Sequence, residues 1–201
     1  MCTSDFHSCV HEHLKDSCVV WFMDTSFDQV ERQKMEAKEH KLKVRKHFNK
    51  FTLSDEKRTK PIQWEKYTIM IDTPLKGRIL DLGCGTGLLQ EFLQQKIYGV
   101  DISFHMLKRS RTKESVIQAD IDFLPFRDSV FDAVLSFTSL QCLPSLDYIF
   151  EEVRRVLKRG HPFIFTILKK WSSPLLYEKV KPCFGIETVR ECGEDIGFIC
   201  R

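Results

Sequence analysis

The chain has 201 residues, 42% of them hydrophobic, and a net charge of +3. This length suffices for one substantial core but not for two full domains with a linker, so we expect one main domain. The aromatic and aliphatic run Val19–Met23 is far shorter than the roughly 20 residues of a membrane span, and no export signal precedes it. Eight scattered cysteines without a CxxC pair indicate reduced thiols. We therefore expect a cytoplasmic protein without membrane association.

Positive charge is concentrated in residues 31–60, which hold eleven Lys or Arg against five acids. The sparse apolar residues of Gln29–Lys50 predict a charged surface helix, and Pro61 and Pro74 bracket a second predicted helix, Ile62–Ile71. We therefore divide the chain into a charged, partly helical extension, residues 1–60, and a main domain, residues 61–201.

From Gly77 onward, apolar runs typical of buried strands alternate with amphipathic stretches typical of helices. The strand-like runs are RILDL, IYGVDI, SVIQAD, FDAVLSF and PFIFTIL, and the helical stretches are Gly87–Gln95, Phe104–Arg109 and Asp147–Leu157. This alternation predicts a parallel sheet covered by helices. The last two runs, Ile186–Cys192 and Ile196–Cys200, are joined by a link too short for a crossover helix, so we expect an antiparallel hairpin there.

A glycine-rich stretch, Gly83-Cys84-Gly85-Thr86-Gly87, follows the first strand, where nucleotide-like ligands bind in such folds. Its GxGxG spacing matches neither the dinucleotide fingerprint nor the Walker pattern. Asp81 precedes it, and a carboxylate there would repel a pyrophosphate but attract a cation. S-adenosylmethionine would fit this requirement, because it carries an ammonium and a sulfonium and no phosphate. The alternative, that Asp81 caps the next helix, fits less well because a capping residue lies immediately before its helix.

Two further acids end the next two strands. Asp101, in GVDIS, could accept hydrogen bonds from ribose hydroxyls, as the acid at this place does in dinucleotide folds; alternatively it caps the helix that follows. Asp120, in QAD, could accept from an adenine amino group or could be an ordinary solvated loop acid. The sequence leaves both alternatives open.

Five motifs in order, DLGCGTG, GVDIS, QAD, LPFRDSVFDAVLS and EEVRRVLKRG, resemble those of class I S-adenosylmethionine-dependent methyltransferases, specifically the type 11-like group. The resemblance covers about residues 48–168. It implies a Rossmann-like, doubly wound α/β fold with a mainly parallel seven-stranded sheet and a C-terminal antiparallel hairpin. It also implies roles for the methionyl part (Asp81, Gly83, Gly85, Gly87), the ribose (Asp101), the adenine (Ile102, Met106, Asp120, Ile121) and the transferable methyl group (Ser136, Phe137).

The predicted function is transfer of a methyl group from S-adenosylmethionine to an unidentified acceptor, either a small molecule or tRNA. No residue pattern identifies a general base, so the catalytic residues are left unknown. The alternative is a catalytically inactive cofactor-binding subunit that stabilises a small protein partner. A dinucleotide-dependent reductase is a more distant alternative, which a nucleotide titration would exclude.

Two other features allow competing interpretations. The basic segment is either a solvated helix face, paired along its length with interleaved acids, or an RNA-binding surface in which Lys41, Lys43, Arg45, Lys46 and Lys50 contact phosphates. The N-terminal histidines and cysteines, Cys2, His7, Cys9, His11, His13 and Cys18, have spacings that match no standard zinc site, so we predict no metal.

Overall fold

The computed structural model describes the backbone of residues 9–51 and 53–201 and the side chains of residues 29–51 and 53–201. Contacts divide the chain into two compact units, residues 1–40 and residues 41–201. Helix α1 extends over Cys9–Phe48, longer than predicted. Within the first unit its described side chains, from residue 29 to residue 40, are exposed except for the half-buried Ala37. The charged side chains of this stretch are therefore exposed to solvent, as the sequence predicted.

The second unit continues with helix α2, Leu53–Met70. The prediction that Pro61 precedes this helix was wrong, because the helix begins eight residues earlier and contains the proline. A proline inside a helix removes one backbone donor. The hydroxyl of Thr59 adds bonds to the same helix by donating to the carbonyls of Asp55 and Glu56, at 3.0 and 3.2 Å.

Strands and helices then alternate as the sequence predicted. The elements in chain order are β1 Ile79–Leu82, α3 Leu88–Leu93, β2 Tyr98–Asp101, α4 Phe104–Lys108, β3 Val116–Gln118, β4 Ala133–Phe137, α5 Ile149–Val156, β5 Phe163–Leu168, α6 Pro174–Val180, β6 Ile186–Cys192 and β7 Asp195–Cys200. The sequence reading assigned no element to α6, which begins with a proline at its first position.

These strands form one seven-stranded sheet in the order β3-β2-β1-β4-β5-β7-β6. The strands from β3 to β5 are parallel, whereas β7 is antiparallel to both β5 and β6. The predicted Rossmann-like architecture with a terminal hairpin is therefore confirmed. The carboxyl ends of β1, β2 and β4 lie side by side at one edge of the sheet.

The two faces of the sheet bury separate apolar clusters. Leu80 and Leu82 of β1 belong to the cluster that includes residues of α5 and α6, whereas Ile79 belongs to the cluster that includes residues of α2 and α3. Because side chains alternate along a strand, Asp81 lies on the same face as Ile79, beneath α2.

Candidate functional site

A cleft of about 350 Å³ opens at the carboxyl ends of β1, β2 and β4. Its walls come from the end of α1, one face of α2, the glycine loop after β1, the start of α4 and the segments that follow β3 and β4. Carboxyl ends of parallel strands are the usual ligand site of open α/β sheets.

The glycine loop requires residues without a side chain. Gly83 and Gly85 have φ of 77° and 53°, in the left-handed region that glycine adopts without strain. A Cβ on Gly83 would lie 2.2 Å from Oγ of Ser139. The backbone N–H groups of Gly83 and Cys84 donate to the Val100 carbonyl, at 2.8 and 3.0 Å. This turn therefore exposes backbone to the cleft.

Asp101, at the end of β2, is linked directly to the glycine loop. Its Oδ2 accepts from the N–H of Gly85 at 2.9 Å and its Oδ1 from the N–H of Ser103 at 2.7 Å. Ser103 caps α4 by accepting from the N–H of Met106, so the alternative that Asp101 is only a helix cap is not needed. Burial raises the pKa of Asp101, and the two N–H donors act in the opposite direction.

Asp81 lines the same cleft and is only 5% exposed. Burial, and then the nearby charge of Asp101, raise the pKa of Asp81 to about 8. Neither carboxylate forms an ion pair with any residue that the structure describes. A cationic ligand in the cleft would relieve this unfavourable arrangement.

The structure brings together eight of the ten residues predicted to bind a cofactor. These are Asp81, Gly83, Gly85, Asp101, Ile102, Met106, Asp120 and Ile121. Gly87 lies behind the loop, where a Cβ would be 3.2 Å from Oγ of Ser110. Ser136 is fully buried and its hydroxyl donates to the Leu82 carbonyl at 3.3 Å. It is not among the residues that line the cleft, whereas Phe137, also predicted near the methyl group, is.

Lys41 also lines the cleft, which the sequence reading did not anticipate. Its Nζ lies 2.7 Å from Oδ2 of Asp120 and 2.5 Å from Oδ2 of Asp122. Although burial opposes it, these two carboxylates raise the pKa of Lys41. Because its ammonium is already paired with two carboxylates, Lys41 is a weaker candidate for a phosphate contact than the exposed basic residues of the segment. Asp120 is half-buried and its carboxylate is paired with Lys41.

Sequence reasoning missed the contribution of α2. Thr59, Gln63 and Tyr67 line the cleft at intervals of four residues, which places them on one helix face. The ring of Tyr67 contacts Phe137 edge-on, with centroids 4.6 Å apart. The four-residue spacing was a readable signal, but the predicted start of the helix after Pro61 concealed it.

The segment after β4 holds a strained residue. Thr138 has a φ of 58°, a conformation that is uncommon outside glycine and concentrates at functional sites. Its N–H donates to the backbone and side-chain oxygens of Thr166, at 3.2 and 3.1 Å, and its hydroxyl donates to Oδ2 of Asp195 at 2.8 Å. Lys66 donates to the same hydroxyl at 2.8 Å. This network fixes one wall of the cleft.

No group of side chains suited to a metal ion occurs among the described residues. The N-terminal histidines and cysteines named above lie outside the residues whose side chains are described. Within the described part of the chain, no helix combines the length and the apolar character needed to cross a bilayer.

Residues 80–165 match the family model described as "Methyltransferase domain". This match assigns residues 80–165 to a methyltransferase domain. The uncharacterized protein MJ1252 of Methanocaldococcus jannaschii is 34% identical over 146 residues, which are 71% of this chain and 55% of that protein. A malonyl-[acyl-carrier protein] O-methyltransferase of Hamiltonella defensa is 34% identical over 46% of this chain and 38% of its own length. The chain thus spans about half or less of these relatives.

Solved structures share the fold of the methyltransferase domain. One belongs to the complex between the Haloferax volcanii Trm112 methyltransferase activator and the putative methyltransferase, with a TM-score of 0.65, 16% identity and coverage of 74% of this chain and 93% of that one. Another is a SAM-dependent methyltransferase from Aquifex aeolicus, with a TM-score of 0.58, 19% identity and coverage of 75% and 98%. The Aquifex aeolicus protein depends on S-adenosylmethionine.

The residues that line the cleft suit this cofactor chemically. Two buried carboxylates, Asp81 and Asp101, lie without a cationic partner among the described residues, and the loop between them has no side chain at Gly83 or Gly85. Apolar side chains, Ile102, Met106 and Ile121, line the part of the cleft beyond Asp101. A ligand with cationic and flat apolar parts matches this arrangement.

Proposed function

We propose that this chain transfers a methyl group from S-adenosylmethionine to a small-molecule or tRNA acceptor. The observation that carries the proposal is the pair of buried carboxylates, Asp81 and Asp101, at the ends of adjacent strands in one cleft. An anionic cofactor would be repelled there, whereas a ligand with an ammonium and a sulfonium would be attracted.

Each predicted residue then has a role that its position supports. Asp81 and the glycine loop would hold the methionyl part of the cofactor, and Asp101 would accept from the ribose hydroxyls. Ile102 and Met106 would pack against the adenine, with Asp120 and Ile121 at its edge. Gly87 would act through the loop conformation, since its φ is 83°. Phe137, the last residue of β4, rather than Ser136, is the residue that we expect near the methyl group.

The bound cofactor would supply an electrophilic methyl group. The chain itself would place the acceptor behind that methyl and keep water away, which can account for most of the catalysis in an in-line displacement. Tyr67 and Phe137 form an apolar wall suited to excluding water. We assign no general base, because no acceptor atom is identified against which a side chain of the cleft could be placed.

Two measurements test the proposal. S-adenosylhomocysteine should bind with a micromolar dissociation constant by calorimetry and raise the melting temperature, because a ligand of the folded state stabilises it by mass action. Transfer of a tritiated methyl group to a tRNA or metabolite pool should follow. Absence of both heat and thermal shift at millimolar ligand would contradict the proposal.

A second candidate function is a cofactor-binding subunit without turnover that stabilises a small protein partner. The structural likeness to a chain from a complex with a methyltransferase activator supports the protein partner in this candidate. Binding of S-adenosylhomocysteine without methyl transfer to any pool would support this alternative. Methyl transfer that appears only when a partner is added would instead make the chain an enzyme that depends on an activator.

A further inference from the structure

We infer that single-stranded RNA docks on a basic patch beside the cleft, with one of its bases stacked on the ring of Phe104. The patch combines the end of α1 and the turn after it with α4, and its residues are Arg45, Lys46, Lys50, Phe104 and Lys108. This inference rests on the proposed function, of which it selects the RNA acceptor, and it assigns that acceptor a surface outside the cleft.

Two stretches far apart in the sequence contain cations and no acids. Residues 44–51 and 103–111 together hold six Lys or Arg and no Asp or Glu. Earlier in α1 the acids are interleaved with the lysines, and Glu31 pairs with Lys34 at 2.9 Å. Such pairing along a helix neutralises a charged face. Neither of the two basic stretches has an acid of its own for this purpose.

The structure brings these two stretches into contact. The hydroxyl of Ser103, which caps α4, donates to Oδ1 of Asn49 at 2.7 Å, and Nη1 of Arg109 donates to the carbonyl of Phe51 at 2.5 Å. The N–H of Asn49 donates to the carbonyl of Arg45, so these two residues are one helical turn apart on the same side of α1. The cations of α1 and of α4 therefore share one surface.

Four of the six cations on this surface have no acidic partner. The carboxylate of Glu56 takes up the charge of the other two, since its oxygens lie 2.5 Å from Arg111 and 4.0 Å from Arg109. The remaining four are exposed and form no ion pair with any residue that the structure describes: Arg45, Lys46, Lys50 and Lys108. Cations clustered in this way attract a polyanion such as a phosphate backbone.

An exposed aromatic ring lies within the patch. Phe104 is 53% exposed, and Nζ of Lys108 lies 4.8 Å from the centroid of its ring. Proteins bind single-stranded nucleic acid by combining positive charge for the backbone with aromatic rings on which bases stack. An acidic protein partner would account for the cations but not for the exposed ring, and duplex RNA keeps its bases in its own stack. Single-stranded RNA accounts for both features.

The patch borders the cleft without lining it. Phe48, which lies between Lys46 and Lys50 in the sequence, lines the cleft, as does Ile102, two residues before Phe104. The five patch residues themselves are not part of the cleft wall. RNA held on the patch would therefore leave the cofactor site open, and a neighbouring nucleotide would be within reach of the cleft as the methyl acceptor.

Three probes test the docking surface on the unmodified protein. They are a fluorescein-labelled single-stranded RNA of about ten nucleotides, the same RNA annealed to its complement, and inorganic polyphosphate. Anisotropy and calorimetry measure binding, with and without saturating S-adenosylhomocysteine. We expect the single strand to bind at least about fivefold more tightly than the duplex, because only the single strand offers a free base to the ring.

The ring is tested by Phe104→Leu, which keeps an apolar side chain but removes the π-face. We expect about fivefold to tenfold weaker binding of the single strand and unchanged binding of polyphosphate. Phe123→Leu is the matched control. Phe123 is also exposed and has the Lys41 ammonium 5.5 Å from its ring centroid, but two carboxylates pair with that ammonium. RNA binding should not change in this variant.

The salt dependence separates the ring from the charge next to it. Lys108→Gln should reduce the slope of log affinity against log salt by about 0.7, because one phosphate contact is lost. Phe104→Leu should leave the slope unchanged, since stacking releases no counterions. The titrations of the unmodified protein do not depend on either variant, so misfolding of a variant does not remove the test.

The outcomes also separate this inference from the proposed function. Equal affinity for the single strand and the duplex, or equal losses in Phe104→Leu and Phe123→Leu, would overturn the docking surface. So would binding to vesicles of phosphatidylcholine and phosphatidylserine without binding to RNA. If S-adenosylhomocysteine binds in these cases, the proposed function stands with a small-molecule acceptor. Failure of S-adenosylhomocysteine to bind would overturn the proposed function, whereas the RNA titration without it would still decide the docking surface.

Discussion

The Nζ atom of Lys66 lies 2.8 Å from Oδ2 of Asp195, in an ion pair whose side chains are 6% and 0% exposed. Lys66 belongs to α2 and Asp195 begins β7, so the pair ties the helix over the cleft to the end of the sheet. Oδ2 of Asp195 also accepts from the hydroxyls of Thr138 and Thr166. The strained residue after β4 is thus held by a charge buried beneath the cleft.

Breaking this pair from one side should be costly. We expect Lys66→Met to lower the free energy of unfolding by about 3–5 kcal/mol, because it leaves a buried carboxylate without its cation. Lys66→Met combined with Asp195→Leu should cost less than the sum of the single changes. Urea unfolding measures all three variants. Lys169→Met, which breaks the exposed pair with Glu191, is the control and should not move the midpoint. Additive costs in the double variant would refute the coupling.

The role of Asp101 in cofactor binding can be separated from that of its neighbours. We expect Asp101→Ala to weaken binding of S-adenosylhomocysteine by about 2–3 kcal/mol, because the ribose hydroxyls lose a charged acceptor. Cys84→Ala should change binding little, since its thiol is buried with a raised pKa and offers no charge to the ligand. Calorimetry measures both affinities.

Asp101 also holds the N–H groups of Gly85 and Ser103, so its replacement could act by loosening the loop. Ser103→Ala tests this for the turn after β2, because it removes the hydroxyl that accepts from the Met106 N–H and keeps the two N–H groups bonded to Asp101. An equal loss of affinity in all three variants would show that the loop is fragile and that Asp101 has no particular role.

Cofactor affinity should depend on pH through Asp81. Its pKa in the free protein is raised to about 8, so below that pH the carboxyl is largely protonated. The ammonium group of the ligand favours the ionised form, which lowers this pKa and makes binding release a proton. We therefore expect affinity for S-adenosylhomocysteine to increase as the pH rises from 6 towards about 8.

Calorimetry in buffers of different ionisation enthalpy counts the released proton. Asp81→Asn is the matched control, because it keeps the shape of the side chain and cannot titrate. Its binding should be weaker and should lack the increase towards pH 8. If the variant keeps the full pH dependence of the unmodified protein, the titration belongs to another group.

The hypothesis that the basic segment binds RNA can be limited to three of its residues. Arg45, Lys46 and Lys50 are exposed, whereas Lys41 is paired with two carboxylates. If the exposed three contact phosphates, changing them to Gln should weaken tRNA binding. It should also reduce the slope of log affinity against log salt by about 2, at about 0.7 for each contact with a single strand.

A variant with the same change in charge controls for non-specific attraction. Lys76, Lys113 and Lys170 are exposed elsewhere in the second unit, and their replacement by Gln should leave the salt slope unchanged. Identical, shallow slopes for all three proteins would identify the segment as a solvated face and favour a small-molecule acceptor.

The strands could be predicted closely because each carries its own signal. Buried parallel strands need continuous apolar runs, and the glycine loop marks the turn after the first of them, so β1, β2, β4 and β5 begin and end within two residues of the predicted bounds. The residues on the sheet side of the cleft could also be predicted from the sequence, because the acids among them directly follow these strands.

The wall of the cleft formed by α1 and α2 could not be predicted in the same way. It depends on contacts between residues far apart in the sequence, such as Lys66 with Asp195 and Lys41 with Asp120. A proline before an apolar run predicts a helix start, yet α2 begins eight residues before Pro61, in a stretch whose buried Glu56 pairs with Arg111.

The position of β7 between β5 and β6 has a consequence for synthesis on the ribosome. The strand that pairs with β5 is the last of the sheet to be made, so residues 195–200 must emerge before β6 can join the sheet at all. Until then β5 has an open edge rich in phenylalanine, a form prone to pairing with other chains. A nascent chain stalled before residue 195 should therefore engage chaperones, and release of the final strand should end that engagement.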